Sequence, residues 1–185
     1  MQSERAIVLI DGSNFYFKLK DLKLHDLLAF DFSRFAHALV GDRKLVKTVY
    51  YVGKVRTDGT LKAKIMHADQ QRLFSHLRKH GFFYSLGYLL RSDKKFSEKG
   101  VDVQIAVDML VAAYENHCER IYLVSSDTDL IPAIQKVQEK GKTVVYVGFS
   151  HQVSKALVAS CKETQTLTKE TIQPFIAAKQ TEQAA

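Results

Sequence analysis

Short runs of apolar, mostly β-branched residues alternate along the chain with longer stretches whose apolar residues recur at helical spacing. This alternation predicts an α/β fold, in which a parallel sheet is covered by helices on both faces. The runs are continuously apolar, as strands buried on both faces require. Five strands are predicted in them, at 5–10, within 44–55, and at 82–90, 120–124 and 142–147.

Helices are predicted between and after these strands. Their expected places are 14–20, from an N-cap at Asp31 to Gly41, 60–80, 101–117, 129–140, 151–160 and 169–178, while 91–100 is expected to be a polar loop. The length of 185 residues is close to that of one domain, and a domain of this size buries about 70% of its unfolded surface. We therefore expect a single domain over 1–179 and a frayed tail over 180–185.

Composition narrows the function classes. A run of about 18 apolar residues, which a membrane span needs, is missing from the sequence, and the first residues do not have the layout of a signal peptide. Cys118 and Cys161 are the only cysteines, too few for a disulfide framework or a four-ligand zinc site. We expect a cytoplasmic protein without a membrane partner. The net charge of +7 favours a polyanionic partner such as nucleic acid, although a generic basic surface explains it equally well.

Aspartates follow several of the predicted strands. Asp11 comes directly after the first strand, and Asp127 and Asp129 come after the fourth. Asp102 lies in the first turn of the helix that follows the third strand. Ligands of open α/β sheets bind beyond the carboxyl ends of the strands. All four carboxylates are therefore expected at one edge of the sheet.

Four carboxylates at one edge would repel one another by roughly 1–4 kcal/mol per close pair. A hard divalent cation would relieve that repulsion, and ligands that are all oxygen suit Mg²⁺ or Mn²⁺. The sequence therefore predicts a Mg²⁺ or Mn²⁺ site. For each aspartate taken alone, a helix cap or a turn remains the alternative.

Polar residues near these aspartates are candidates for supporting roles. Asn14 is expected one helical turn beyond Asp11, where its amide would orient that carboxylate or contact a scissile phosphate, and an ordinary helix cap is the alternative. Hydroxyl groups that would donate hydrogen bonds to the carboxylates follow the fourth strand, at Ser125, Ser126 and Thr128. Asp108 lies about 120° around its helix from Asp102, so an indirect role fits it better than ligation.

Basic residues should flank the acidic edge if the partner is RNA. They occur after the second and third strands, at Lys54, Arg56, Arg91, Lys94, Lys95 and Lys99. Their contacts with phosphates would make affinity strongly salt-dependent, and solvated loops are the alternative. Phe15, Tyr16 and Phe96 are candidates for stacking on unpaired bases, with a place in the core as the alternative for the first two.

Three motifs, taken together and in this order, carry a resemblance to a known family. They are VLIDGSNFY at 8–16, KGVDVQIAVDML at 99–110, and LVSSDTDLIPAIQKVQEKGKTVVYVG at 123–148. The chain resembles the NYN domain family, the PIN-like group of metal-dependent ribonucleases, and within it the LabA-like branch. The resemblance implies a three-layer α/β/α PIN-like fold with strand order 3-2-1-4-5.

The resemblance also assigns roles. Asp11, Asp102, Asp127 and Asp129 match the family's acidic metal site, and Asn14 matches its polar residue after the first aspartate. Ser126 stands where the family often has glycine, and glycine permits backbone angles that serine disfavours.

The leading hypothesis is a Mg²⁺- or Mn²⁺-dependent endoribonuclease that acts on RNA, and a homodimer is compatible with the sequence. The alternative is a catalytically weak or inactive module that binds nucleic acid or protein. A haloacid-dehalogenase-type phosphohydrolase is disfavoured, because it needs an aspartate where Ser13 stands. A dinucleotide-binding domain is disfavoured too, because Gly-x-Gly-x-x-Gly does not follow the first strand.

Overall fold

The computed structural model describes residues 3–55, 59–92 and 95–177. The strands are β1 Arg5–Asp11, β2 Lys44–Gly53, β3 Phe83–Ser92, β4 Lys95–Lys99, β5 Arg120–Val124, β6 Thr143–Phe149 and β7 Glu163–Leu167. The α-helices are α1 Gly12–Asp21, α2 Phe32–Val40, α3 Leu61–Lys79, α4 Val101–Tyr114, α5 Ile131–Glu139, α6 Lys155–Ser160 and α7 Lys169–Ile172. Short 3-10 turns lie at Thr128–Leu130, Ser150–Gln152 and Gln173–Phe175.

The strands form one sheet in the order β4-β3-β2-β1-β5-β6-β7. Every neighbouring pair from β3 to β7 is parallel, and β4 alone runs antiparallel, against β3. The five predicted strands correspond to β1, β2, β3, β5 and β6, so the predicted order 3-2-1-4-5 is confirmed. β7 extends that parallel sheet by a sixth strand.

The core divides into two layers because side chains alternate between the faces of a strand. Ala6, Val8 and Ile10 of β1 pack on the side that carries α1, α2, α3 and α7. Ile7 and Leu9 of the same strand pack on the side of α4, α5 and α6. The result is the predicted three-layer α/β/α arrangement, and the first strand is buried on both faces as its continuous apolar sequence requires.

Several details differ from the sequence-based expectations. The polar loop expected at 91–100 is wrong, because β3 continues to Ser92 and returns as β4. The sequence of β4, Lys-Phe-Ser-Glu-Lys, has no apolar run, since an edge strand does not need one. β7 was missed because its sequence, Glu-Thr-Gln-Thr-Leu, is polar and mostly exposed.

The last predicted helices are also interrupted. The helix expected at 151–160 is a 3-10 turn followed by α6, which begins anew at the N-cap Ser154. The helix expected at 169–178 ends at Ile172, and Pro174 lies in the 3-10 turn that follows. The predicted tail at 180–185 lies outside the described residues. Within the described ranges, no helix is both long and apolar enough to cross a bilayer.

Ion pairs connect the strands at the amino edge of the sheet, the edge at which the parallel strands begin. Arg120 bonds the carboxylates of Glu4 and Glu163, each at 2.7 Å. Glu119 accepts hydrogen bonds from the backbone N–H of Arg5 at 2.7 Å and from its guanidinium at 2.6 Å. The Arg5 guanidinium is the main reason that the pKa of Glu119 is lowered to about 2 from an ordinary value of 4.5.

We expect this pair to make folding stability depend on acidic pH. A carboxylate with a lowered pKa contributes stability that is fully present above its unfolded pKa, and that is lost as the pH falls from about 4.5 to about 2. Replacing Glu119 with Gln should lower the melting temperature at pH 7 by about 2 °C and flatten its dependence on pH in that window. Thermal melts followed by circular dichroism test this, with Glu139→Gln as the control. Parallel curves for wild type and Glu119→Gln would contradict it.

Candidate active site

Asp11 ends β1 and also caps α1. Its Oδ1 accepts a hydrogen bond from the backbone N–H of Asn14 at 3.0 Å, and its Oδ2 accepts one from the Ser125 hydroxyl at 2.9 Å. The residue is only 5% exposed. By the alternation of β1 its side chain lies on the same face of the sheet as Leu9, which is the α4 side. The chain thus places a nearly buried carboxylate at the carboxyl end of its central strand.

Close packing fixes the direction in which α1 leaves this strand. A Cβ atom at Gly12 would lie 2.3 Å from Cε1 of Tyr50 and 2.6 Å from the carbonyl oxygen of Tyr51. The Tyr50 hydroxyl donates a hydrogen bond to the Gly12 carbonyl at 3.2 Å. Glycine at this position therefore allows α1 to start directly against β2, with Asp11 at the junction.

The loop after β5 brings two more carboxylates to the same edge. The Ser125 hydroxyl, which donates to Asp11, also accepts a hydrogen bond from the backbone N–H of Asp127 at 3.1 Å. Oδ1 of Asp127 accepts a hydrogen bond from the backbone N–H of Asp129 at 2.9 Å and so caps the 3-10 turn. Asp127 is half-buried and Asp129 is exposed. Ser125 therefore joins the ends of β1 and β5.

Asp102 reaches this edge from the segment after β4, where it lies in the first turn of α4. Burial raises its pKa above the ordinary value, and the negative charges of Asp127, Asp11 and Asp129 raise it further, in that order. Like charges raise a carboxyl pKa only at short range. The structure therefore brings all four predicted aspartates into one electrostatically coupled group.

Two glycines place the start of α4. Gly100 has the positive φ of 83° and forms the N-cap. A Cβ atom at Gly87 would lie 2.5 Å from Cγ2 of Val101 and 3.0 Å from the carbonyl oxygen of Lys99. The helix therefore begins pressed against β3, and this close approach sets the position of Asp102.

The donor atoms of this acidic group fit a hard divalent cation. They are carboxylate oxygens from two strand ends and a helix start, and such ligands suit Mg²⁺ or Mn²⁺ rather than zinc. In the described part of the chain, no lysine, arginine or histidine forms an ion pair with Asp102, Asp127 or Asp129. Among those same residues, no three acidic, histidine or cysteine side chains close into a preformed metal cage.

The other residues predicted to support the site take different positions. Asn14 is half-buried and reaches Asp11 through its backbone N–H. Thr128 is exposed in the 3-10 turn. Asp108 accepts hydrogen bonds from the Tyr51 hydroxyl at 2.6 Å and from Gln104 at 2.9 Å. Tyr51 connects it with the acidic group, because the strand position of Tyr51 pairs with that of Asp11.

Ser126 keeps an ordinary backbone. Its φ is not positive, so the turn does not require glycine at this position. Its hydroxyl lies 3.3 Å from the hydroxyl of Tyr146, which in turn accepts a hydrogen bond from the backbone N–H of Ser154. Serine here fastens the loop to β6 and to the start of α6, a role for Tyr146 that sequence reasoning missed.

The predicted basic rim is described only in part. Lys54, after β2, and Lys99, at the end of β4, are exposed. Arg91 and Lys95 lie in the paired strands β3 and β4, and their side chains lie outside what the structure describes. Arg56 and Lys94 are themselves outside the described residues, as is the side chain of Phe96.

The three aromatic residues of α1 differ in how far they are buried. Phe15 is fully buried among Phe30, Phe35 and Phe149, so it is unavailable for stacking on a base. Tyr16 is half-buried, and its ring contacts Phe17 and His25 edge to face. Phe17, which sequence reasoning passed over, is the exposed aromatic residue of the helix at 59%. The signal was available, because 15 and 19 share one face of a helix and 17 lies opposite.

Comparison with known proteins gives a family match and a partial match to one curated relative. A model of the NYN domain matches residues 5–168, most of the chain. A curated relative, the uncharacterized protein MJ0482 of Methanocaldococcus jannaschii, is 37% identical over 65 residues, which is 35% of this chain. The match spans only 27% of that protein's length.

A solved structure is similar over nearly the whole chain. It is the crystal structure of VPA0982, a protein of unknown function from Vibrio parahaemolyticus, with a TM-score of 0.63 and 24% identity. The alignment covers 90% of this chain and 94% of that one. At this identity the likeness supports the fold alone.

Proposed function

The chain belongs to the NYN domain family, whose fold is that of PIN-like nucleases, and on this premise we propose that it is a divalent-metal-dependent ribonuclease, specifically an endoribonuclease. One observation carries the proposal. Asp11 and Asp127, at the ends of β1 and β5, are joined through the Ser125 hydroxyl. Asp102 begins α4 at the same edge of the sheet, where burial and the charges of the other three aspartates raise its pKa. A site that holds four mutually repelling carboxylates is built for a cation more readily than for stability.

Each aspartate has a role that follows from its position. Asp11, Asp102 and Asp127 would hold Mg²⁺ or Mn²⁺, directly or through water. Asp129, the most exposed of the group, would hold a second ion or position the water that attacks phosphorus. When bound, the ion would supply activation of water and stabilisation of the charge that builds on the phosphoryl oxygen.

Neighbouring residues hold this arrangement and meet the substrate. Ser125 donates to Asp11 and accepts from the Asp127 backbone, so it keeps two carboxylates at a fixed separation. Asn14 would align the scissile phosphate. Ser126 and Thr128 would help to hold the carboxylates in place, and Asp108 would act on the site indirectly, without binding the ion. The basic rim at Lys54, Arg56, Arg91, Lys94, Lys95 and Lys99 would contact the RNA phosphates.

We expect purified protein to cut labelled single-stranded RNA when Mn²⁺ or Mg²⁺ is added and to stop when EDTA removes the ion. Ion binding should be visible apart from cleavage, because a ligand at about 100 times its Kd stabilises the folded state by about 2.7 kcal/mol. That gain corresponds to a rise of about 5 °C or more in melting temperature for a chain of this size. The proposal would be overturned if neither ion produced cleavage and neither ion produced a thermal shift.

The alternative is a module of the same fold that binds RNA or protein without cutting. One observation favours it: Asp11 and Asp127 both already serve as N-caps, of α1 and of the following 3-10 turn, which is a structural use for each carboxylate. Salt-sensitive RNA binding that ignores divalent ions would select this alternative. Placement in the LabA-like branch, a homodimer and a cytoplasmic location stay predictions.

A further inference from the structure

We infer that the cleft between α1 and α3 binds an unpaired nucleobase of the RNA strand, an inference that rests on the proposed function and names a subsite for it. The cleft measures about 500 Å³, within the usual range of small-molecule sites. One wall is formed by α1 and the segment after it, and the other by α3 and the end of β2. Its lining includes Ser13, Tyr16, Phe17, Val52, Met66 and Gln70.

The cleft begins next to the acidic group. Gly12 and Ser13, which line it, are the first two residues after Asp11, so the wall starts within about 8 Å of chain from that carboxylate. Asp11 lies on the α4 side of the sheet edge, whereas α1 and α3 cover the opposite face. A strand of RNA that crosses the edge with its phosphate at the aspartates would present a neighbouring base to the cleft.

The surface of the cleft has the character of a stacking platform. Phe17 exposes 59% of its surface, and Met66 on the facing helix is also exposed. The ring of Tyr16 contacts those of Phe17 and His25 edge to face, with centroids 5.6 and 6.0 Å apart. Every nucleobase offers a π-face to such rings, whatever its sequence.

Hydrogen bonds within the protein engage the Gln70 side chain, which lines the wall of the cleft at α3 and the end of β2. The Gln70 side chain donates a hydrogen bond to the Gly53 carbonyl at 2.8 Å and accepts one from the Val55 N–H at 2.9 Å. These bonds tie Gly53 and Val55 to α3, and the side chains of Val52 and Val55 line the cleft. A base entering here would be held between preformed walls, which lowers the ordering cost of binding.

The surroundings of the cleft favour a nucleic acid over an apolar protein segment. The first turns of α3 expose Lys62 and Lys64 between the exposed side chains of Leu61 and Ile65, and Lys54 is exposed at the end of β2. Interleaved basic and apolar side chains match the alternating phosphates and bases of a single strand. Exposed carboxylates at Asp26 and Asp69 also line the cleft. Asp69 is paired with Arg72 at 3.1 Å, and the Asp26 carboxylate can accept from base amino groups.

The test measures RNA affinity in EDTA, so that it does not depend on cleavage. Phe17→Ala should weaken binding of a short single-stranded oligoribonucleotide by about 5- to 20-fold, or about 1–2 kcal/mol, the value of one base–aromatic stack. Phe83→Ala is the matched control, because Phe83 is similarly exposed, at 65%, but lies at the start of β3, the amino edge of the sheet. It should bind like the wild type.

A second arm uses oligoribonucleotides that carry one abasic nucleotide, moved along the strand. At one position the abasic substitution should weaken wild-type binding about as much as Phe17→Ala does, and the two changes together should add little. Equal losses for Phe17→Ala and Phe83→Ala, or no sensitive position, would overturn the inference. So would a Phe17→Ala effect on self-association in sedimentation instead of on RNA affinity. Failure of cleavage with binding intact would count against the ribonuclease alone.

Discussion

Asp11→Asn is expected to reduce metal-dependent RNA cleavage by about 10²–10³-fold or more while leaving the fold intact. Single preorganised groups that stabilise developing charge contribute rate factors of about this size. Asp11 is central to the group, because it touches the β5 loop through Ser125 and contributes to the raised pKa of Asp102. Replacing it removes a charged oxygen from the proposed ion site. Single-turnover cleavage of labelled RNA with saturating Mn²⁺ measures the loss.

The fold should survive because asparagine caps helices about as well as aspartate. Its side-chain oxygen can still accept from the Asn14 N–H, and the Ser125 hydroxyl can accept from the new amide instead of donating to a carboxylate. Asp42→Asn is the matched control, since it removes the same charge from an exposed position just before β2, at the other edge of the sheet. Equal cleavage by Asp11→Asn and wild type would exclude this carboxylate from the reaction.

The parallel core of the fold was predictable because its signal is local. A strand buried on both faces must be continuously apolar, and β1, β5 and β6 are. β4 and β7 carry no such signal, because they are the two outer strands of the sheet. β4 is a polar strand that forms a hairpin with β3, and β7 is mostly exposed. Their existence depends on the neighbouring strand that each one meets, which a single stretch of sequence does not encode.

The candidate site was predictable at the level of which residues gather, and less so at the level of how they connect. A parallel sheet sends every strand end to one edge, so Asp11 and Asp127 were expected together. The hydrogen bonds of Ser125 to both segments depend on the turn after β5, and spacing alone does not define the geometry of that turn.

The cleft lay beyond prediction for a related reason. Its walls come from α1, the end of β2 and the middle of α3, which are distant in sequence. The position of α1 over β2, in turn, depends on the absence of a single side chain at Gly12.

Gly12→Ala is therefore expected to be the most disruptive small substitution near the site. The added methyl group would lie 2.3 Å from the Tyr50 ring and 2.6 Å from a backbone oxygen of β2, and Tyr50 is fully buried and bonded to the Gly12 carbonyl. Neither neighbour can move cheaply. Overpacking of this kind costs about 3 kcal/mol at the upper end of its usual range, or roughly 6–12 °C in melting temperature for a chain of this size.

A second glycine separates this steric effect from a backbone effect. Gly141 has a φ of +82° but open space around a new Cβ atom, so Gly141→Ala should cost only the roughly 1–2 kcal/mol of a left-handed alanine. Gly12→Ala should melt lower than Gly141→Ala and, because α1 must tilt away from β2, should also lose cleavage at temperatures where it is still folded. If Gly12→Ala melts within about 2 °C of wild type, α1 can leave β1 without pressing on Tyr50, and the packing that places Asp11 is looser than these contacts require.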